Sequence, residues 1–379
     1  DNSEDGDIVR FDSSVRGTIT LDPALGQLIL DHALTIEGPG ARRLAISGGE
    51  ETRVLLIKGP QPDCPYDEGS PSGQGEGCSS GGGSESGDLS LPSREVESVE
   101  DADVVVSGLT IKDGFPKYLE PYPCIPLNPQ KSPHGPGCFG GNVLCVRANV
   151  ALVDCTIEDG LAQQGGGVAA RNDTSLLLQD CTIRDNVAGS CETEVWKGSE
   201  ESGGGVDVRN HSVVELVNCD VLDNTAADEG GGISARSGGG SGESSSVAVT
   251  GCTISGNTVS AEGNEVPKEM EPGGYGCGTS QFYSGGGLYA KKISLLVEEC
   301  VIEDNLVHDG ENMPAAGGGI LMKRTAATIS GCTISANRAG DGAYGGLAGG
   351  IACLNSDMQV RTCVISDNVA GEGCDYAVG

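Results

Sequence analysis

Short aliphatic runs alternate with glycine-rich and polar corners along this chain, and the alternation repeats in phase. From Gly165 the sequence reads GGGVAARNDTSLLLQDCTIRDN, and from Gly203 it reads GGGVDVRNHSVVELVNCDVLDN. Related copies open at Gly140, Gly230, Gly285, Gly317 and Ala348. Relative to the Cys of each copy, the positions two after, three before and five before are almost always aliphatic, as in Ile183, Leu178 and Leu176 or Ile254, Val249 and Val247. Runs of this kind predict short strands. Between the second and third runs stand Asp154, Asp180, Asn218, Gly251 and Gly331, residues that accept a tight corner, with Glu299 and Thr362 as departures. The interval from opening residue to Cys is 15 or 16 residues in six of the seven copies, the other carrying an insertion at Ser237–Ser246. A copy of 22 residues would span about 70 Å if extended, too long for one strand and suited to one closed turn. One turn cannot bury its own face, so the copies must stack on a shared core.

The pattern organises the whole chain as one domain, 1–379. Residues 8–59 supply atypical entry coils with a capping role, in which Leu34 and Ile36 are expected at the Cys and Ile positions of later coils. Residues 60–100 and 115–139 interrupt the pattern with Pro, Gly, Ser and acids, a composition that cannot bury a core. They read as surface insertions holding Cys64 with Cys78 and Cys124 with Cys138, each pair fourteen residues apart. Bridges there would stabilise by about 3 kcal/mol and would fit an oxidising, extracellular setting. Between the insertions, Leu109 takes the Cys position, and 140–374 forms the regular coils. Further insertions fall at Val187–Ser202, Thr258–Ser284, Leu306–Ala316 and Arg338–Leu347, mainly on one edge.

Stacking turns each repeated position into a column. Asn186, Asn224, Asn257, Asn305, Asn337 and Asn368 predict an amide ladder at a bend, since Asn accepts left-handed backbone and bonds to its own kind. The column cysteines from Cys155 to Cys363 are expected to point inward as small apolar fillers, mostly free. Outward, successive coils place Arg171, Arg209, Arg236, Lys291 and Lys323, flanked by Val146 and Leu354. This basic column has two readings: a surface for carboxylated or sulfated polysaccharide, or a row neutralised by neighbouring acids such as Asp207. The sequons at Asn172 and Asn210 occupy equivalent corners of adjacent coils, so that only one is expected to carry a glycan.

Composition narrows the classes. A net charge of −32 disfavours nucleic acid, whose binding is driven by phosphate neutralisation. No apolar run is long enough for a membrane helix. HExxH and CxxC are absent, and four scattered histidines give neither a metal cluster nor an evident base. No cofactor is expected; the acidity leaves calcium open.

The GGG[V/I/L] opening followed by CTIxDN resembles the GGA[I/L/V] and FxxN repeats of chlamydial polymorphic outer-membrane proteins and of the wider pectin-lyase-like class. LTIEGPG and GLTIKDG resemble amino-terminal coils of such proteins, although Ile or Val stands where FxxN has Phe. The resemblance covers most of 8–374 and implies an all-β, right-handed parallel β-helix, here of about nine coils with three short strands each. The class contains surface proteins as well as lyases, hydrolases and epimerases acting on polysaccharides, so fold alone does not choose. Enzymes of the class set several carboxylates beside a base on one outer face. Here the opening strands offer only Asp207, beside Arg171, Arg209 and Arg236, with Arg209 its partner if chemistry occurs. The expected function is therefore an extracellular structural module, assembling with itself or with other surface proteins. An acidic-polysaccharide binder or enzyme is the alternative.

Overall fold

The computed structural model describes residues 3–59, 98–116, 139–189, 201–237, 244–260, 283–308, 315–340 and 345–371. Cys64, Cys78, Cys124 and Cys138, the expected disulfide partners, lie outside them. The described residues are all-β apart from one 3-10 turn at Val99–Asp101. Every strand pairing is parallel, so each coil continues the sheets of the one before it.

The coil that opens at Gly165 shows the plan. Its first strand is Val168–Arg171, its second Ser175–Gln179, its third Thr182–Arg184, and a fourth of two residues is Val187–Ala188. Stacked, these form the first, second, third and fourth sheets, of nine, ten, ten and seven strands. The fourth strand is too short to show as periodicity and joins the three expected. Inward positions line up in register, as in Leu152, Leu178, Leu216, Val249, Val297 and Ile329. They meet in one continuous core running from Leu30 to Ile334.

The entry coils correct one expectation. Leu34 and Ile36 pair with Val104 and Val106, which pair with Val150 and Leu152, so they belong to the second sheet. Leu44 and Ile46 hold the Cys and Ile positions instead, and Leu109 does so in the next coil. With no glycine triplet and no Cys in these coils, nothing in the sequence marks their phase.

The corners sit where expected between second and third strands. Asp154, Asp180, Asn218, Gly251, Glu299, Gly331 and Thr362 all have φ between 50° and 65°. Glu299 and Thr362 therefore adopt the same left-handed bend as the others, a costly conformation for β-branched Thr362. At the next bend the left-handed residue is the one before the ladder Asn, namely Asp185, Asp223, Gly256, Asp304, Ala336 and Asp367. That corrects the reading of Asn as the bend itself. The Asn side chains turn inward, and those from Asn186 to Asn337 are fully buried. Each amide donates to the carbonyl of the next, from Asn186 to Asn224 at 2.9 Å through to Asn337 to Asn368 at 2.9 Å. Where the pattern offers Gly160 in place of Asn, Asn142, just before the opening strand Val143–Val146, fills the gap and donates to Asn186 Oδ1 at 3.2 Å. The column cysteines from Cys155 to Cys363 turn to the core as thiols, each Sγ donating to backbone carbonyls, as Cys181 does to Leu152 at 3.3 Å.

Candidate functional site

The basic column and Asp207 project from the outer face of the first sheet. In each first strand the first and third residues point into the core, leaving the second and fourth outward, as in Asp207 and Arg209 within Val206–Arg209. Register places Leu56, Leu144, Ala169, Asp207, Ser234, Tyr289, Leu321 and Ala352 in one outward column. Arg171, Arg209, Arg236, Lys291 and Lys323 follow two residues later in each strand.

This face is roofed. The residue before each opening glycine pairs in parallel with its counterpart in the next coil: Phe139, Gln164, Ser202, Glu229, Ser284, Ala316 and Leu347. The opening glycine reverses the chain so that this outer row lies back over the first sheet. Gly203 does so at φ 68°, and a Cβ there would stand 2.4 Å from Val206 O and 2.8 Å from Asp207 Cβ, so the tight return excludes a side chain. Ala348 holds the same place at φ 56°.

Beneath the roof the chemistry changes along the axis. Leu56, Leu144, Val146 and Ala169 pack with Phe139 at one end, and Tyr289, Leu321 and Ala352 pack with Ala316 and Leu347 at the other. Between them lies a closed ionic enclave. Asp207 is 0% exposed. Its Oδ2 accepts from Arg171 Nη2 at 2.7 Å and from Arg209 Nε at 3.2 Å, and its Oδ1 accepts from Ser202 Oγ at 2.9 Å. Arg171 also donates to Gln164 Oε1 at 2.6 Å, and its guanidinium lies 4.4 Å from the Phe139 ring centre. Arg209 reaches Ser202 Oγ at 2.7 Å. Arg236 pairs with Glu229 and lies over the Tyr289 ring at 5.1 Å.

The electrostatics follow from this packing. Burial works against the Asp207 carboxylate, yet Arg171, Arg209, Ser202 and Arg236 outweigh it and hold the group below its usual range. Burial pulls the Arg171 guanidinium down to about 10, offset in part by Asp207. Asp207 is thus an ionised acceptor with its lone pairs used, walled from solvent. An acid or base must reach the proton it transfers, and no path to this carboxylate is open.

Arg171, Arg209 and Arg236 are brought together around Asp207 and Glu229, while Lys291 and Lys323 continue the column half-buried. The sequons sit at the corner just beyond it, with Asn210 Nδ2 donating to Asn172 Oδ1 at 2.8 Å. Their Thr174 and Ser212 hydroxyls are buried and donate to the carbonyls of Arg171 and Arg209. Arg53, unnoticed in the sequence, is fully buried and anchors the start of the roof by donating to Phe139 O at 2.7 Å and Gly140 O at 2.9 Å. One signal for the roof does exist. Within a coil the residue before the triplet matches the outward residues in kind: Phe139 with Leu144, Ser202 with Asp207, Glu229 with Arg236, Ala316 with Leu321.

Among the described residues, no three His, Cys, Asp or Glu side chains gather as a metal site would need, and no helix is long and apolar enough to cross a membrane.

Comparison with known proteins bears on the fold. Residues 136–378 match the family described as right handed beta helix region. No curated protein matches the sequence. Among solved structures, pectate lyase Pel9A is similar at 8% identity and a TM-score of 0.45, over 94% of this chain and 71% of that one. The A-module of mannuronan C-5 epimerase AlgE6 from Azotobacter vinelandii is similar at 13% identity and 0.31, over 93% and 92%. That of AlgE4 from the same organism gives 11% and 0.30, over 98% and 90%.

Proposed function

We propose that this chain, which belongs to the right-handed β-helix family, is a structural module that associates through the exposed edges of its stacked sheets. Its partners are other copies or other surface proteins, in an extracellular layer, wall or appendage. The observation that supports this is what the outermost described coils present. Val9 and Ile19 in the first coil, and Met358, Val360 and Ile365 in the last, occupy inward columns yet remain exposed, Ile365 by 51%. Beside them run sheet edges that pair with no further strand among the described residues, and such edges template further strands. Contact between unlike ends is heterologous and does not close, so it yields filaments.

The alternative, an enzyme acting on acidic polysaccharide through Asp207 and Arg209, is opposed by the roof, which leaves that pair no substrate access. The basic column is likewise mostly neutralised by Asp207 and Glu229. Since the two sequons share one hydrogen-bonded corner, a single glycan occupies it. Electron microscopy and sedimentation of the full natural protein at physiological salt test the assembly reading. Ordered filaments, or a partner seated on the end coils, are expected. Persistent monomers at high concentration, or further coils of the natural chain covering both ends, would overturn it.

A further inference from the structure

The third sheet carries a second, open basic surface. Its outward column begins Thr18, Ala45, Thr110, Thr156 and Thr182 across the first five coils; Thr18, Thr156 and Thr182 reach the surface, whereas Thr110 is buried and donates its hydroxyl to Ala41 O at 2.8 Å. Arg16, Arg42 and Arg43 stand beside it at the near end, and together these residues line a shallow groove of about 660 Å³. All three arginines are exposed. Among the described residues no carboxylate pairs with any of them, whereas the other bases of the groove are engaged: Lys112 with Asp113, and Arg184 with Glu158 and Asp185. In a chain of net charge −32, three neighbouring exposed cations with no acidic partner among the described residues are a departure that packing does not require, since none is needed to fill the core.

We propose that this groove binds a carboxylated or sulfated carbohydrate chain lying across the third sheet. Guanidinium forks match carboxylate and sulfate oxygens in bidentate fashion, and Thr18, Thr156 and Thr182 offer hydroxyls to a polyhydroxylated ligand. A protein partner fits less well, because protein interfaces centre on apolar and aromatic anchors and the lining contains none of the aromatic kind. The same absence argues against a nucleic-acid strand, which needs faces for base stacking. At physiological ionic strength the Debye length is about 8 Å, so the local arginines act on the ligand while the more distant acids are screened. This site is independent of the assembly reading and of the roofed column on the first sheet.

Titration calorimetry of the full chain at about 0.15 M salt tests it, with polygalacturonate and dextran sulfate as probes and with neutral dextran and a single-stranded oligonucleotide for comparison. Binding of an acidic probe is expected, weakened about tenfold or more in the Arg42→Ala/Arg43→Ala variant and again by Arg16→Ala. Melting should be unchanged, because the three side chains are exposed. Arg324→Ala, an exposed base at a remote corner, should bind as the wild type does. Failure of the wild type to bind either acidic probe would overturn the proposal, as would an equal loss in Arg324→Ala or equal affinity for the oligonucleotide.

Discussion

Replacing Asp207 by asparagine keeps the shape of the side chain and removes the charge around which the enclave closes. The carboxylate accepts from Arg171 at 2.7 Å, Ser202 at 2.9 Å and Arg209 at 3.2 Å. Hydrogen bonds to charged groups contribute about 1.5–3 kcal/mol each, and stranding one member of a buried ion pair costs about 3–5 kcal/mol. Arg209, with 15% of its side chain exposed, can turn part of its charge toward water, which moves the expected loss to about 3–4 kcal/mol. For an unfolding slope near 3 kcal/mol/M, the urea midpoint then falls by about 1 M, read by far-ultraviolet circular dichroism. The pair Asp207→Leu with Arg171→Met should be more stable than Asp207→Leu alone, because no buried charge is left uncompensated. A loss below about 1 kcal/mol in Asp207→Asn, or a double variant weaker than the single one, would refute the reasoning. Water would then reach the carboxylate, and its chemical availability would have to be reconsidered.

Other outcomes follow from the same geometry. Because the folded pKa of Asp207 is depressed, its contribution is complete above the unfolded value near 3.9 and disappears as pH falls through the lower folded one. The stability gap between wild type and Asp207→Asn should therefore narrow below about pH 4, as acid titration will show. Asn257→Ala removes four bonds, two donated to Val221 O and Asn305 and two accepted from Asn224. It should cost about 3–5 kcal/mol in thermal unfolding, against about 1 kcal/mol for half-buried Asn368→Ala, where water substitutes. Native-state alkylation read by mass spectrometry should label Cys353 and Cys363, both half-buried, before Cys145, whose thiol burial pushes up to about 12.

Period and direction were legible because stacking forces like residues into columns. The Asn and Cys ladders, the aliphatic core and the bends at Asp154 and Asp180 all followed from a fixed interval measured against one Cys. The roof did not, because Phe139, Gln164, Ser202, Glu229 and Ser284 are joined only by backbone pairing and share no chemistry. Without it, Asp207 and the three arginines read as an open face when they are a packed interior. The bend before each Asn was misassigned for a related reason. Either neighbour in an Asp-Asn pair tolerates left-handed backbone, and only the inward hydrogen bonds of the amide decide which one turns. The open arginines were missed because Arg16, Arg42 and Arg43 lie in coils whose phase carries no marker.

The glycine triplet has a further consequence. The stretches between fourth strand and triplet that lie outside the described residues range from the 4 of 341–344 to the 22 of 261–282. Yet the chain re-enters each time at the same backbone pairing, Glu229 to Ser284 and Ser284 to Ala316 alike. A tight return that takes glycine, or alanine once at Ala348, locked to its neighbour one coil away, acts as a datum to which the thread is reset after every excursion. Errors of length do not propagate down the stack. Such a molecule can gain or shed whole excursions without retuning its frame, which makes that edge a place where new sequence is tried at little structural risk.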